Sequence, residues 1–213
     1  MSRRGPATTS EVRGADWEGE DLTGQEHEAV AFVDVDFTDV TARGASFTAC
    51  TFTDCRFSSA TFTDIAFVGC AFVRCRLFDA TFAGCKLLGT SFDRCGLDVL
   101  RVDGGDWSFA GLVRADLRSA SFRDVRLREA DLSGAQCDGA RLWSVDLSGA
   151  SVAGATFAGA DLRGSDLPEI DGDAVHRGGP VPLAGAIVDP DQAIAIAVAL
   201  GFDVRADAPP LEG

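Results

Sequence analysis

Residues 51–82 read TFTDCRFSSATFTDIAFVGCAFVRCRLFDATF, and a phenylalanine or leucine occupies every fifth position of this stretch. The same register extends without interruption from Trp17 to Leu167, which gives 31 repeat positions. Twenty-four of them are Phe or Leu, although the whole chain of 213 residues holds only 32 such residues. A random arrangement would place about five there, so the period of five is a genuine internal repeat.

The position two residues before each large residue is small. It holds Ala at 13 places, Cys at six and Val at five, and the other positions of the unit are mostly polar. A helix requires apolar spacings of three and four and a flat strand requires two, so a strict period of five fits neither. The pattern predicts a coil with flat sides, in which the large and the small residue point inward and the other three face water.

Several segments carry a family resemblance, namely ADLSGAQCDGARL (130–142), VDLSGASVAGATF (145–157) and ADLRGSDL (160–167). They resemble pentapeptide-repeat proteins, whose units follow an A(D/N)LxG consensus. The resemblance implies an all-β fold over residues 15–167, a right-handed quadrilateral β-helix with four units in each turn. It specifies the fold more closely than the function, because one fold can serve several roles.

The remaining segments are expected to flank this β-helix. Residues 1–14 are polar and without periodicity, which is typical of a flexible tail. Residues 168–188 are rich in Gly and Pro and indicate an irregular segment that caps the end of the coil. A C-terminal helix is expected over residues 189–201, and residues 202–213 are expected to form a second tail.

The helix prediction depends on the signals at both ends of DPDQAIAIAVALG. Asp189 is a good N-cap, Pro190 suits the first helical position and Gln192 completes a capping box, while Gly201 provides a stop. The alternating apolar residues could instead form a strand, although the alanines and the caps favour a helix. Such a helix is apolar all round, so one face is left without a partner in the monomer. We therefore expect a dimer interface formed by Ile194, Ile196, Val198 and Leu200.

The cysteines and histidines do not indicate a metal site, a disulfide or catalysis. Six cysteines occupy the small inward position and Cys137 occupies a large one, so they are expected to be free thiols in the core. His27 also occupies a large position and is expected to be structural. No CxxC or HxxxH spacing occurs, so no metal or other cofactor is expected. The unbroken register offers no inserted loop for a pocket, and we expect the protein not to be an enzyme.

The chain is acidic, with 33 Asp and Glu against 19 Lys and Arg, a net charge of −14. A nucleic-acid binder usually carries a basic surplus, so direct binding to nucleic acid is not expected. The apolar runs are too short to span a bilayer and no signal segment is visible, so we expect a cytoplasmic protein without a membrane partner.

The charge is unevenly placed along the repeat. The net charge is −8 over residues 15–79, +1 over residues 80–130 and −9 over residues 131–213. Outward acidic residues could simply keep the coil soluble. The arginines in the middle are expected to be internal salt-bridge partners; they are Arg114, Arg118, Arg123, Arg126 and Arg128.

A narrower resemblance concerns function. The stretch CAFVRCRLFDATFAGCKLLGTSF (70–92), the acidic coil and DPDQAIAIAVALGF (189–202) together resemble the MfpA/Qnr type of pentapeptide-repeat protein. The resemblance implies a rod-shaped homodimer, joined through the C-terminal helix, that mimics duplex DNA and binds DNA gyrase, with its A subunit as the expected contact. It also implies a link to fluoroquinolone resistance. This coil has no inserted loops, which is closer to MfpA than to Qnr, whose protective loops project from the coil. The difference argues against Qnr-like protection of gyrase more than against binding to gyrase.

Dimerisation through the helix would bring two acidic ends together. The carboxylates expected to contact the partner are therefore those of Asp131, Asp146, Asp161 and Asp166, all at the same outward position of their units. An alternative left open by the residues is a general protein-interaction rod, or an immunity protein, with a different target.

Overall fold

A computed structural model of the chain describes residues 5–166, 184–199 and 201–204. The described chain forms a parallel β-solenoid of about seven turns, followed by one short helix. Each turn contains 20 residues, because strands pair in register with the strand one turn later. Phe32 thus pairs with Phe52, Phe52 with Phe72 and Phe72 with Phe92. Since 20 residues hold four units of five, the prediction of a four-sided coil is confirmed.

The regular elements are short because each side of the coil has room for only about three extended residues. The strands are β1 (Ser10–Arg13), β2 (Glu26–Glu28), β3 (Val30–Val33), β4 (Thr41–Arg43), β5 (Ser46–Thr48), β6 (Thr51–Thr53), β7 (Thr61–Thr63), β8 (Ala66–Val68), β9 (Ala71–Val73), β10 (Thr81–Ala83), β11 (Ser91–Asp93), β12 (Arg101–Asp103), β13 (Ser121–Arg123) and β14 (Arg141–Trp143), and the helix is α1 (Pro190–Ala199).

We name the sides 1 to 4 in chain order, starting with the sides of Val12, Trp17, Leu22 and His27. Side 1 carries the sheet β1-β3-β6-β9-β11, side 3 carries β4-β7-β10-β12-β13-β14, and side 4 carries β2-β5-β8. Side 2 is joined by isolated bridges such as Asp16 to Asp36. All four sides therefore present a parallel ladder along the axis.

Almost every unit ends in a corner residue with a left-handed backbone, which turns the chain onto the next side. Glycine accepts this conformation freely, and Asp tolerates it, as at Asp54 with φ of 57°. Val99 is a β-branched residue in the same conformation, with φ of 58°. That position is strained, since a β-branched side chain crowds the left-handed backbone.

The core consists of the inward large and small residues, as predicted. Phenylalanine rings form a stacked column on side 1, with ring centroids 5.0 Å apart between Phe32 and Phe52 and 4.6 Å apart between Phe52 and Phe72. All seven cysteines are free, and six of them are buried, whereas Cys95 is only half-buried. The expectation that every small-position cysteine is buried is therefore wrong for Cys95.

The largest core side chain, Trp107, shows how volumes are balanced within a unit. Its ring system is fully buried and stacks on Phe92 with centroids 5.7 Å apart. The small position of the same unit is Gly105, where an added Cβ would lie 2.1 Å from the carbonyl oxygen of Cys85. Only glycine allows the backbone to approach the previous turn this closely.

The coil begins earlier than predicted. Strand β1 pairs with β3, and Val12 packs against the core, so residues 10–13 belong to the solenoid rather than to a flexible tail. The reason is that Val12 continues the register of five by one more unit. Residues 1–4 lie outside the described part.

The C-terminal end is only partly described. Leu167 and most of the predicted capping segment 168–188 lie outside the described residues, but Ile187 forms a bridge with Asp161 and so extends the ladder of side 3. Helix α1 follows, and its capping box is made: the Gln192 N–H donates to Asp189 Oδ1 at 2.9 Å, and the Asp189 N–H donates to Gln192 Oε1 at 2.7 Å. No described helix is long and apolar enough to cross a membrane.

Candidate partner-binding surfaces

Most arginines of the coil are neutralised by a nearby carboxylate. The described part contains eleven ion pairs, each between an arginine and an Asp or Glu. The predicted salt-bridge role of the central arginines is confirmed for four of five. The pairs are Arg118–Asp116, Arg123–Asp103, Arg126–Asp106 and Arg128–Asp146. Arg114 makes no ion pair among the described residues.

Two of the four predicted contact residues are engaged by arginine. Asp161 is buried and accepts two hydrogen bonds from Arg163, at 2.9 and 2.6 Å. These bonds lower the pKa of Asp161 to about 2, although burial acts in the opposite direction. The expectation that Asp161 faces the solvent freely is wrong, because an arginine two residues later in the same unit folds over it.

Asp146 is half-buried and is also occupied. It accepts hydrogen bonds from the Ser148 N–H at 3.0 Å, from the Ser148 hydroxyl at 2.6 Å and from the Arg128 guanidinium. Burial alone would raise its pKa, but these hydrogen bonds hold the pKa below its ordinary value. Its charge is therefore largely balanced within the molecule.

The other two predicted contact residues are exposed and make no ion pair in the described part. Asp131 accepts only the Ser133 N–H, at 3.0 Å, and Asp166 accepts a long bond of 3.4 Å from the Ser148 hydroxyl. Asp131 lies on side 1 and Asp166 on side 4, next to Asp146. The four residues thus occupy three sides of the coil and do not form one continuous surface.

A denser group of free carboxylates lies at the opposite end of the coil. Eight exposed acidic residues of the first two turns make no ion pair within the described chain. We call this group the N-terminal acidic surface. It runs around all four sides of the coil, and its members are Asp16, Glu18, Glu20, Asp21, Glu26, Glu28, Asp34 and Asp39. The sequence contains a signal for it, because residues 14–42 hold no Lys or Arg.

The C-terminal helix presents an apolar face. Ile194 and Val198 are 49% and 57% exposed, and they lie one turn apart on the same face. Ile196 is half-buried, and the side chain of Leu200 lies outside the described residues. The opposite face is held to the coil, because the Gln192 amide donates to the carbonyl oxygens of Leu162 and Ser165, both at 2.7 Å.

His27 is part of the core packing at the start of the coil. Its ring stacks on Phe47 with centroids 4.9 Å apart, and its Nε2 lies 3.1 Å from the Gln25 side-chain oxygen. Burial lowers the pKa of His27. This arrangement extends the aromatic column of side 4 by one ring.

Comparison with known proteins agrees with this geometry. The family model for pentapeptide repeats matches residues 32–67, 110–149 and 133–171, with eight copies of the repeat. No curated protein sequence matches the chain significantly.

Two solved structures show the same fold. One is HetL, a pentapeptide repeat protein involved in heterocyst differentiation regulation from the cyanobacterium Nostoc sp. strain PCC 7120 (TM-score 0.52, 22% identity, 85% of this chain and 86% of HetL). The other is a trypsin-treated variant of QnrB1, a plasmid-mediated fluoroquinolone resistance protein (TM-score 0.50, 23% identity, 92% of this chain and 100% of QnrB1). The five-residue register, the four-sided parallel ladder and the family-model match all support a pentapeptide-repeat protein.

Proposed function

We propose that this protein is a non-catalytic, cytoplasmic mimic of duplex DNA that binds DNA gyrase, through its A subunit, and competes with DNA for the basic groove. The observation that carries the proposal is the N-terminal acidic surface on a rigid coil. Its eight carboxylates occupy about two turns, or roughly 10 Å of axis at about 4.8 Å per turn. Duplex DNA carries one charge per about 1.7 Å of axis, which is a charge density of the same order.

The dimensions of the coil support the same role. About seven turns give a rod of about 34 Å, and five residues per side give a width of about 16 Å before side chains are added. A groove that holds a duplex could accept an object of this girth. Because the backbone is already ordered by the ladder, binding costs little conformational entropy.

The carboxylates proposed to contact the partner are those without an arginine. These are the N-terminal acidic surface, together with Asp131 and Asp166 near the other end. Asp146 and Asp161 contribute less, since Arg128 and Arg163 already balance their charges. An exposed carboxylate without a partner projects the full field of its charge toward a basic groove.

We further propose that two copies associate through the apolar face of helix α1. Ile194 and Val198 supply exposed apolar surface there, and Phe202, just beyond the helix, is 66% exposed. A second copy would cover this surface, with Ile196 and Leu200 contributing as predicted from the sequence. The two coils would then extend in opposite directions and place an N-terminal acidic surface at each far end.

The dimer proposal is tested by Val198→Asp, with Val113→Asp as the matched control. Val113 is 45% exposed on side 1, so the control introduces the same charge at a similarly exposed valine away from the helix. Light scattering should show a dimer for the wild type and for the control, and a monomer for Val198→Asp. A wild type that is monomeric at micromolar concentration would refute the proposal.

The gyrase proposal is tested with a supercoiling assay at two salt concentrations. The test variant carries Glu18→Gln, Glu26→Gln and Glu28→Gln, which removes three charges from the N-terminal acidic surface. Each exposed charge contributes about 0.2–1 kcal/mol, so removing three should raise the concentration for half-inhibition by about threefold to a hundredfold. Inhibition by the wild type should weaken as salt increases, because salt screens the attraction.

The matched control changes the net charge equally at carboxylates that are paired with arginine. It carries Asp54→Asn, Asp64→Asn and Asp103→Asn, all of which are exposed. The control should inhibit more strongly than the test variant. Equal loss in both variants would show that only net charge matters, and no inhibition by the wild type at low salt would favour an interaction rod with another target. Because QnrB1 is a fluoroquinolone resistance protein, a parallel assay with a fluoroquinolone distinguishes inhibition from protection.

A further inference from the structure

A depression of about 480 Å³ lies on side 2, across the turns that carry Ser58, Phe78 and Asp98. It exists because Gly96 occupies an outward position at which the adjacent turns carry Arg76 and Asp116. The missing side chain leaves an open space whose walls include Arg74, Arg76, Phe78, Arg94 and Asp98. The volume is within the range of sites that bind small molecules, about 300–1,000 Å³.

The backbone ladder is interrupted beside this depression. Outside the sheets of the described coil, the N–H of each inward large residue donates to a carbonyl oxygen on the next turn wherever that carbonyl is described. Leu97 is the exception. The Leu97 N–H does not donate to Asp116, the Asp116 N–H does not donate to Cys95, and the Val99 N–H donates instead to the Ser119 hydroxyl at 2.9 Å. The strained Val99 corner thus coincides with a local opening between two turns, and such strain tends to occur at functional positions.

Three guanidinium groups surround the depression, and ion pairs orient two of them. Arg74 donates through Nε and Nη2 to Asp54, and Arg94 donates through Nε and Nη2 to Asp93. In both residues Nη1 has no hydrogen-bond partner in the described chain. Arg76 is exposed and makes no ion pair with any described residue. The ion pairs therefore hold two guanidinium groups in place while leaving donors available, and the third is entirely available.

The same wall carries an exposed aromatic ring. Phe78 is 54% exposed at an outward position, where the preceding and following turns carry Ser58 and Asp98. The inward rings of the coil are buried, so this phenylalanine contributes nothing to the core and offers an apolar face to the solvent. A ligand with a flat ring can stack on it.

We propose that this depression binds a small anion that carries a planar ring, with the charged group on Arg74, Arg76 and Arg94 and the ring on Phe78. Phosphate and carboxylate groups share the required chemistry, since both accept forked hydrogen bonds from guanidinium. A large acidic partner is disfavoured, because on the flanking turns of side 2 Arg56 and Arg118 are already held by Asp36 and Asp116. A small ligand meets Arg74, Arg76 and Arg94, together with the carboxylate of Asp98 on the wall.

The proposal is tested by titrating the full chain with adenosine monophosphate. Binding is measured by calorimetry and by the NMR signals of the arginine Nε–H groups. The expected result is saturable binding with a dissociation constant below about 1 mM and shifts of the signals of the three arginines. Adenosine and inorganic phosphate, each supplying half of the ligand, should bind at least about tenfold more weakly. Benzoate in place of adenosine monophosphate distinguishes a carboxylate from a phosphate ligand.

Two variants separate the site from nonspecific charge. Arg76→Ala should weaken binding about tenfold or more, since a hydrogen bond to a charged group contributes about 1.5–3 kcal/mol, whereas Arg141→Ala should not. Arg141 is a suitable control because it is exposed on side 3 and makes no ion pair in the described part. Gly96→Leu should abolish binding while keeping every arginine, because a Cβ at Gly96 meets only Asp98 Oδ2, at 3.8 Å, and the longer side chain fills the depression.

Several results would overturn the proposal. The proposal is wrong if neither adenosine monophosphate nor benzoate binds saturably at about 5 mM. It is also wrong if Arg76→Ala and Arg141→Ala lose equal affinity, or if Gly96→Leu binds as tightly as the wild type. Inorganic phosphate binding as tightly as adenosine monophosphate would remove the role of Phe78. An acidic peptide that binds more tightly than either ring compound would show that the depression serves a protein partner. None of these results depends on whether the protein binds gyrase.

Discussion

Replacing Phe52 by alanine tests whether the ring column of side 1 stabilises the coil. Phe52 is fully buried, and its ring lies between those of Phe32, 5.0 Å away, and Phe72, 4.6 Å away. Truncating a buried phenylalanine costs about 3–5 kcal/mol, and stacked rings on both sides place this residue in the upper half of that range. For a chain of this length about 1 kcal/mol corresponds to about 2–4 °C, so Tm should fall by about 8–20 °C.

Two further variants calibrate this measurement. Phe109→Ala removes a ring that is 49% exposed, and a surface change of this kind should move the free energy of unfolding by about 0.5 kcal/mol or less. Phe52→Leu keeps most of the volume but loses the stacking, so its cost should be about 1–2 kcal/mol. Urea unfolding followed by circular dichroism gives all three values on one scale.

The distribution of the damage along the coil provides a second readout. Each turn contacts only its neighbours, as in other repeat proteins, so hydrogen exchange should accelerate first in β3, β6 and β9. If Phe52→Ala unfolds at the same urea concentration as Phe109→Ala, the column does not stabilise the coil. If hydrogen exchange accelerates equally in all turns, the loss of stability is global rather than local.

Three other predictions follow from the corners, the thiols and the carboxylates. Val99→Gly should raise the free energy of unfolding by about 0.5–1 kcal/mol, because glycine relieves the left-handed strain; thermal unfolding checks this, and a lower Tm would contradict it. In the native protein iodoacetamide should modify the half-buried Cys95 first, while Cys85, whose pKa burial raises to about 11, should remain unmodified by mass spectrometry. Arg163 lowers the pKa of Asp161 from 3.8 to about 2, so the stability from this pair is present above pH 3.8 and is lost as pH falls through about 2. Asp161→Asn should therefore flatten the dependence of Tm on pH between these values. A variant whose Tm falls as steeply as that of the wild type between pH 3.8 and about 2 would contradict this.

The inward residues could be predicted from the sequence because the five residues of a unit alone determine which of its side chains point inward. A large residue at every fifth position and a small one two residues earlier must both face the core once the backbone repeats. Phe62 and Leu117, for example, are buried whatever their outward neighbours are. Cys95, the one cysteine that is only half-buried, lies at the interrupted rung between Leu97 and Asp116, and no single unit of the sequence encodes that interruption.

The first unit of the coil was harder to recognise. Val12 stands in the same register as Trp17, but it is flanked by charged residues and no large residue precedes it. Strand β1 forms nonetheless, since β3 offers a row of unpaired backbone groups that residues 10–13 can satisfy. Pairing on the neighbouring turn thus overrides the polar character of the segment.

The outward carboxylates could not be separated by their position in the unit. Asp131 and Asp161 occupy the same place in the repeat, yet one is exposed and the other is covered by Arg163. A local rule distinguishes them, because an arginine two residues after the aspartate reaches back to it, as Arg118 also does with Asp116.

Longer-range pairs such as Arg128 with Asp146 follow no such rule within one unit, since the two residues lie 18 positions apart on adjacent turns. A carboxylate necessarily stays free where neither its own unit nor an adjacent turn supplies an arginine. Residues 14–42 meet that condition over most of their length, because Arg43 and Arg56 are the first basic residues that follow and they pair with Asp64 and Asp36. Among the described residues, the unpaired carboxylates are therefore densest at the N-terminal end of the coil, even though the C-terminal segment has the more negative net charge.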